Sequence, residues 1–246
     1  MDTYERKQKL REEIWRRLQE ADVDRFPGAR GRIPNFKGAE AAADRLAGLD
    51  EWQGARHLKC NPDSPQLPAR KNALRSGKTV FMAVPRLRKP QPFMALDPDR
   101  LDVPPHRAAS IKGAGEHGTL MGIEEMPLIP LILAGSVAVA RDGARLGKGG
   151  GYSDLEFALA AEAGLITDET AVVTTVHNLQ IVPDGEIPMT DHDVPLDYIV
   201  TPGEIIATAR AHRRPQGVLW QELDEERLEA IPVLQRLRPS DYDRES

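Results

Sequence analysis

The sequence predicts an α/β fold, a three-layer sandwich with a central, mainly parallel sheet and helices on both faces. Three observations predict it. Short apolar, β-branched runs alternate with stretches of helical spacing, the order that a parallel sheet with crossover helices requires. The run 131–140 is uncharged and strongly apolar, as a strand covered on both faces must be. The chain has 246 residues, of which 40% are hydrophobic, enough to fill one large core without a disordered composition.

The elements follow in order. Leu10, Ile14 and Leu18 recur at helical spacing, so residues 1–20 are expected to form an amphipathic helix, with Lys7 and Arg11 four apart on one face. The stretch 26–36 contains Gly and Pro and is irregular, whereas 37–49 is Ala-rich and helical. Residues 57–60 make a short strand, 61–68 a loop with three prolines, and 69–74 a helix ending at Ser76 and Gly77. Residues 79–84 form a buried strand stopped by Pro85. The proline- and charge-rich stretch 86–105 holds a small strand at 93–96, and 110–118, with three glycines, reads as a loop. After the 131–140 strand and a Gly-rich run, 153–163 is a helix, 171–176 and 198–200 are strands, and 221–237 is a terminal helix. The expected organisation is an α/β domain over 1–210 and a helical extension over 211–246.

Bulk chemistry narrows the function classes. Lys and Arg total 33 against 38 Asp and Glu, so a formal net charge of -5 gives no general drive toward nucleic acid or an anionic membrane. Any bound anion must be held by a local arrangement. Cys60 is the single cysteine, which rules out an intramolecular disulfide and fits a reducing compartment. The first twenty residues are charged throughout, unlike a secretory signal. The longest uncharged run, 126–140, falls short of the ~20 apolar residues of a membrane helix and contains Pro127, Pro130 and Gly135. The expectation is a cytoplasmic protein, monomer or homodimer, with a small-molecule substrate and no nucleic-acid or membrane partner.

The densest chemical signal is residues 141–154, RDGARLGKGGGYSD, between the strongest strand and a helix. Gly147, Gly149, Gly150 and Gly151 let the backbone approach a ligand closely. Successive N–H groups and the helix dipole then make an anion cradle, and Arg145 and Lys148 add formal positive charge. The composition suits a polyphosphate. It is neither a P-loop, since Gly143 stands one residue too close to Gly147-Lys148, nor a dinucleotide fingerprint, since Tyr152 stands where a glycine is required. No His/Cys cluster has zinc spacing, and Cys60 has no evident base partner.

These residues carry a resemblance. Arg145-Leu146-Gly147, Gly149, Gly150, Gly151, Tyr152 and Asp154 resemble the nucleotide loop of the 5-formyltetrahydrofolate cyclo-ligase (methenyltetrahydrofolate synthetase) family. Gly77-Lys78 before an apolar strand and Pro85 is similar to an earlier strand of that family. Lys7 and Arg11 resemble its N-terminal ATP-binding pair, and His192-Asp193-Val194-Pro195-Leu196-Asp197 its C-terminal signature. The likeness spans roughly residues 7–205. It is closer to the divergent cyclo-ligase-like branch, the methenyltetrahydrofolate synthetase domain-containing proteins, through the 61–66 loop, Pro85-Arg86-Leu87 and Tyr152-Ser153-Asp154-Leu155-Glu156.

The resemblance implies a NagB/RpiA/CoA-transferase-like fold, ATP and Mg²⁺ as cofactors, and folate or a related heterocycle as substrate. ATP would phosphorylate the formyl oxygen of 5-formyltetrahydrofolate; attack by N10 and loss of phosphate would give 5,10-methenyltetrahydrofolate. It implies Arg145 and Lys148 as catalytic cations. Lys7, Arg11, Gly147, Lys148, Gly149, Gly150, Gly151 and Tyr152 would hold the nucleotide. Asp63 and Tyr152 would meet the substrate, and Asp154 and Asp193 would hold the metal. His177 is expected to touch the substrate on other grounds, because it falls just after the 171–176 strand, at the carboxyl end where α/β ligands lie. Read without the family, Asp154 is a helix N-cap, Asp193 and the Lys7/Arg11 pair are solvated charge, and His177 is a hydrogen-bonded structural histidine. Two departures concern the substrate side. Ser153 stands where cyclo-ligases carry a second tyrosine, and the 61–66 loop, with Asp63 its acid, stands where they carry a folate-holding glutamate. Three functions stay open: a cyclo-ligase proper, a cyclo-ligase-like enzyme with another substrate, and a non-catalytic nucleotide-binding regulatory module.

Overall fold

A computed structural model describes residues 2–239. In chain order the elements are α1 (Thr3–Glu20), α2 (Ala39–Leu46), α3 (Asp50–Gly54), β1 (His57–Cys60), α4 (Leu67–Arg75), β2 (Thr79–Ala83), β3 (Phe93–Leu96), α5 (Pro105–Ala108), α6 (Ile111–His117) and β4 (Thr119–Met121). They continue with β5 (Leu131–Ala134), β6 (Ala138–Ala140), β7 (Arg145–Leu146), α7 (Tyr152–Glu162), β8 (Ala171–Thr175), β9 (Ile181–Val182), β10 (Tyr198–Val200), β11 (Ile205–Ala207), α8 (Glu225–Ala230) and α9 (Pro232–Leu237).

Eight strands make one sheet in the order β11-β10-β8-β5-β1-β2-β3-β4. Its centre, from β10 to β2, is parallel; β11, β3 and β4 are antiparallel edges. Strand alternation sends Phe81, Ile132, Val172 and Ile199 to one face, where α7, α8 and α9 cover them. Leu58, Val80, Leu133 and Val173 go to the other face, against α2, α4 and α6. The expected α/β sandwich with its mainly parallel sheet is therefore present. The chain runs outward from β1 through β2, β3 and β4, then crosses back to β5 on the other side of β1. The carboxyl ends of β1 and β5 thus flank the point where strand order reverses, which is where open α/β sheets bind ligands.

Three sequence expectations need correction. The apolar run 131–140 is two strands, not one. β5 ends at Ala134, and β6 joins a separate three-stranded sheet, β7-β6-β9, on which α1 packs. The break is at Gly135, where a Cβ would stand 3.1 Å from Asp63 Oδ2 and 3.2 Å from Gln66 Oε1. Hydropathy does not register such a close approach. Second, 110–118 is not a loop: Ser110 caps α6, its hydroxyl accepting from the Gly113 N–H at 2.9 Å. Third, the terminal helix expected over 221–237 is broken. Pro232 starts α9 and holds Ile231 extended, so α8 stops before it. Residues 240–246 of the expected extension lie outside the described residues. No helix among the described residues is long and apolar enough to cross a membrane.

Candidate active site

The loop 147–151 runs from β7 into α7, with Gly149 at φ 103° and Gly151 at φ 67°, a left-handed region that side chains resist. Gly151 occupies the cap position of α7 and offers no side-chain cap. The first helical hydrogen bond is Leu155 N–H to Gly151 C=O. Among the described residues, the backbone N–H groups from Gly147 to Asp154 have no protein acceptor. Eight consecutive unaccepted donors thus lead into the positive end of an 11-residue helix, chemistry of the kind that suits an anion.

Cations from three elements surround this run. Arg11, nearly buried on α1, donates from Nε to the Gly147 carbonyl at 2.8 Å. In a trans peptide the C=O and N–H point in opposite directions, so this bond turns the Lys148 N–H away from Arg11. Lys7, one turn earlier, is ion-paired with Asp193. Lys148 is half-exposed and bridges to Asp63 Oδ1 at 2.8 Å. Arg145 is buried on β7 and fully engaged. Its Nε donates to the Val194 carbonyl at 3.3 Å, Nη1 to the Gly135 carbonyl at 2.9 Å, and Nη2 to Asp154. Arg145 is therefore the brace that joins the end of β5, the start of α7 and the 193–194 segment.

Both acids expected to hold a metal are oriented through a single oxygen. Asp154 Oδ1 accepts from Arg145 and from the Val194 N–H at 3.1 Å. Asp193 Oδ2 accepts from Lys7 and from the Thr190 N–H and hydroxyl, both at 2.7 Å. Among the described residues the other oxygen of each carboxylate takes no protein hydrogen bond, though His192 Nε2 stands 4.0 Å from Asp193 Oδ1. Burial pushes the Asp193 carboxyl up, but the bonds and charge of Lys7 and the bonds of Thr190 outweigh it and hold its pKa below the usual aspartate value. No cluster of three or more His, Cys, Asp or Glu with metal-binding geometry occurs among the described residues. Two carboxylates held by neighbours, each with an oxygen to spare, nonetheless fit Mg²⁺, which takes one or two carboxylates and completes its shell with water and phosphate.

These groups line a cavity of about 810 Å³ at the carboxyl ends of β1, β2 and β5. Beyond the glycine loop its wall turns apolar, with Met82, Val84, Met94 and Ile111, and Arg86 and Lys89 stand at the rim. Tyr4 and Tyr152 also line it. The floor is polar and was not foreseen from the sequence. Lys59 on β1 and Glu156 on α7 form a buried ion pair. Asn61 Oδ1 accepts from the Ser153 hydroxyl at 3.2 Å and the Gly135 N–H at 3.4 Å, while its Nδ2 lies 3.5 Å from Glu156. The two departures from the family pattern, Ser153 and the 61–66 loop, therefore meet in one hydrogen bond. Fully buried Arg70 fixes that loop by donating to the carbonyls of Asn61, Pro62, Asp63 and Ala109.

Of the residues singled out from the sequence, Lys7, Arg11, Asp63, Arg145, Gly147, Lys148, Gly149, Gly150, Gly151, Tyr152, Asp154 and Asp193 all line this cavity. His177 does not. Its ring caps a turn of 3-10 helix, Nδ1 accepting from the Leu179 N–H at 3.2 Å, and packs edge-on against Phe36. Burial lowers its pKa, which suits a neutral acceptor. Cys60 ends β1 beneath the floor, fully buried, and burial pushes its thiol up. Alkylation of Cys60 by a maleimide is expected to follow the unfolding rate, because only the thiolate reacts. Rapid labelling of the folded chain would show that the floor opens.

Comparison with known proteins places this geometry in context. The family model described as the 5-formyltetrahydrofolate cyclo-ligase family matches residues 3–202. The chain is 40% identical over 240 residues to the methenyltetrahydrofolate synthase domain-containing protein of Mus musculus, covering 94% of this chain and 63% of the relative. The Homo sapiens protein of the same name is 36% identical over 240 residues, with 94% and 61% covered. The chain thus spans about three-fifths of the length of these curated relatives. The NMR structure of Aquifex aeolicus 5,10-methenyltetrahydrofolate synthetase superposes with a TM-score of 0.53 at 19% identity, over 84% of this chain and 94% of that one. At that identity the likeness speaks for the fold.

Proposed function

The chain belongs to the 5-formyltetrahydrofolate cyclo-ligase family, and we propose that it is an ATP- and Mg²⁺-dependent ligase-type enzyme whose substrate is a small molecule other than 5-formyltetrahydrofolate. The observation that carries the ATP reading is the run of unaccepted amides from Gly147 to Asp154, ringed by Lys7, Arg11 and Lys148. Those amides and cations bind the phosphates and neutralise charge as the terminal phosphoryl group moves, so the protein's contribution is positioning and electrostatic stabilisation. Arg145 keeps Asp154 aimed, and Asp154 and Asp193 would hold Mg²⁺, which supplies further charge neutralisation at the phosphates when bound. By analogy with the family, the γ-phosphoryl group goes to a carbonyl oxygen of the substrate. An internal nucleophile then displaces that oxygen as inorganic phosphate, leaving ADP.

The substrate side supports a different molecule from the family's. Ser153 and Asn61 hydrogen-bond each other where the family carries its second tyrosine, and Asp63, the acid of the 61–66 loop, is engaged by Lys148. The division into a 1–210 domain and a 211–246 extension, and a cytoplasmic setting, belong to the same proposal. The test follows formation of methenyltetrahydrofolate by absorbance beside an authentic cyclo-ligase, with ATP binding measured in parallel. The expected result is Mg-ATP binding with folate turnover at least about a hundredfold below the control, since ~1 Å misplacement costs that much. Turnover equal to the control would restore the plain cyclo-ligase. ATP bound but never hydrolysed, with any of a panel of carboxylated heterocycles, would favour a regulatory module.

A further inference from the structure

The family match ends at residue 202, yet the segment that follows reaches the candidate site at two points. Leu228 of α8, Ile231 between the helices, and Val233 and Leu234 of α9 are buried in the same core as Leu155, Phe157 and Leu159 of α7. This anchors α8 beside the start of α7. Asp224 caps α8, accepting from the Arg227 N–H at 2.7 Å. Arg227 then extends over the glycine loop. Its Nη2 donates to the Gly150 carbonyl at 3.1 Å, and its guanidinium carbon lies 5.8 Å from the centre of the Tyr152 ring. A Cβ on Gly151 would come within 3.1 Å of Nη1, so the glycine admits the arginine. Just upstream, Glu222 Oε2 meets His192 Nδ1 at 3.0 Å, and His192 lines the cavity next to Asp193.

We propose that Arg227 is a positioning residue of the phosphate site, delivered from beyond the residues that the family model matches, that fixes the 150–151 peptide so that the Gly151 N–H faces the ligand. Arg227 acts on its end of the loop as Arg11 does on the other. Holding the Gly150 carbonyl turns the Gly151 N–H the opposite way. Arg11 on Gly147 and Arg227 on Gly150 fix the 147–148 and 150–151 peptide planes, and Gly149, at φ 103°, lies in the stretch between them. The cation–π contact with Tyr152 helps hold the guanidinium over the helix start, where it adds positive potential. The proposal rests on the reading of this loop as a nucleotide site.

The test uses the full chain with Arg227→Ala and Arg227→Lys. Backbone NMR order parameters of Gly149, Gly150 and Gly151 are measured without ligand, and Mg-ATP affinity by calorimetry. Wild type is expected near ~0.85 and Arg227→Ala below ~0.6 at these three amides, with α8 and α9 unchanged. Affinity is expected to fall about tenfold, with Arg227→Lys between the two because it keeps charge but loses the planar fork. Equal order parameters in wild type and Arg227→Ala would overturn the positioning role. So would disorder spread through α8 and α9, which would make the contact mere packing. If wild type fails to bind Mg-ATP while the loop still loosens in Arg227→Ala, the nucleotide reading falls and the positioning role stands.

Discussion

Replacing Lys59 alone by methionine is expected to destabilise the protein by about 3–5 kcal/mol, because Glu156 is left as an uncompensated buried charge. Both partners are almost wholly enclosed, with side-chain exposures of 3% and 7%. The Asn61 amide, 3.5 Å from Glu156, is too long a contact to substitute for the ammonium. The double variant Lys59→Met/Glu156→Leu removes both charges and replaces them with side chains of similar bulk. It is expected to unfold within about 1–2 kcal/mol of wild type, since well-packed apolar replacements of buried pairs are often neutral or stabilising. Urea unfolding of the three chains checks both statements. A Lys59→Met chain as stable as wild type would mean that Glu156 is hydrated from the cavity. The double variant also separates folding from function: it keeps the glycine loop, so Mg-ATP affinity should survive, while the polar floor facing the substrate is gone.

The second large effect is on nucleotide affinity. Lys7 and Arg11 sit one turn apart on α1 and reach the cavity from a helix that belongs to the smaller sheet's core. The double variant Lys7→Met/Arg11→Met is expected to weaken Mg-ATP binding by on the order of a hundredfold or more, since each hydrogen bond to a charged group contributes about 1.5–3 kcal/mol. Both side chains carry long aliphatic stems against α1's neighbours, and methionine keeps that packing. Loss of Lys7 frees Asp193 from its ion pair, so part of the effect passes through the second carboxylate. Calorimetric titration with a thermal melt on the same samples separates affinity from unfolding. Undiminished affinity would confine the phosphate contacts to the loop amides.

How far the sequence foretold this depends on the range of the interaction. The alternation of strands and helices is local, and the eight-stranded α/β sheet follows it. The glycine loop is also a local signal, because glycine spacing and flanking charge are written in ten consecutive residues. What escaped reading is set by pairing across the chain. Lys59 is a lone charge within a buried strand, a sign that some carboxylate must meet it, but nothing local names Glu156. Arg145 was read as a phosphate cation; its three engaged nitrogens depend on Val194, Gly135 and Asp154 meeting at one point. The break falls at Gly135-Ser136, the least apolar step of the run, but its cause, the approach of Asp63 and Gln66, is not local. His177 drew attention by lying just after a strand; β8 does end there, but its ring turns to Phe36 and the Leu179 amide. Arg227 sits in a charged helix start, where its neighbours give no hint of the loop it covers.

In the proposed function the amides from Gly147 to Asp154 receive the phosphates of ATP. The most direct measurement is a titration of the amide-labelled chain with Mg-ATP, followed by two-dimensional NMR. The expected result is saturable binding in which the N–H signals of Gly147, Lys148, Gly149, Gly150, Gly151, Tyr152, Ser153 and Asp154 shift most, together with protection of those amides from exchange as each gains an acceptor. Titration to saturation with shifts confined to other parts of the chain, or no saturable binding at all, would contradict the account.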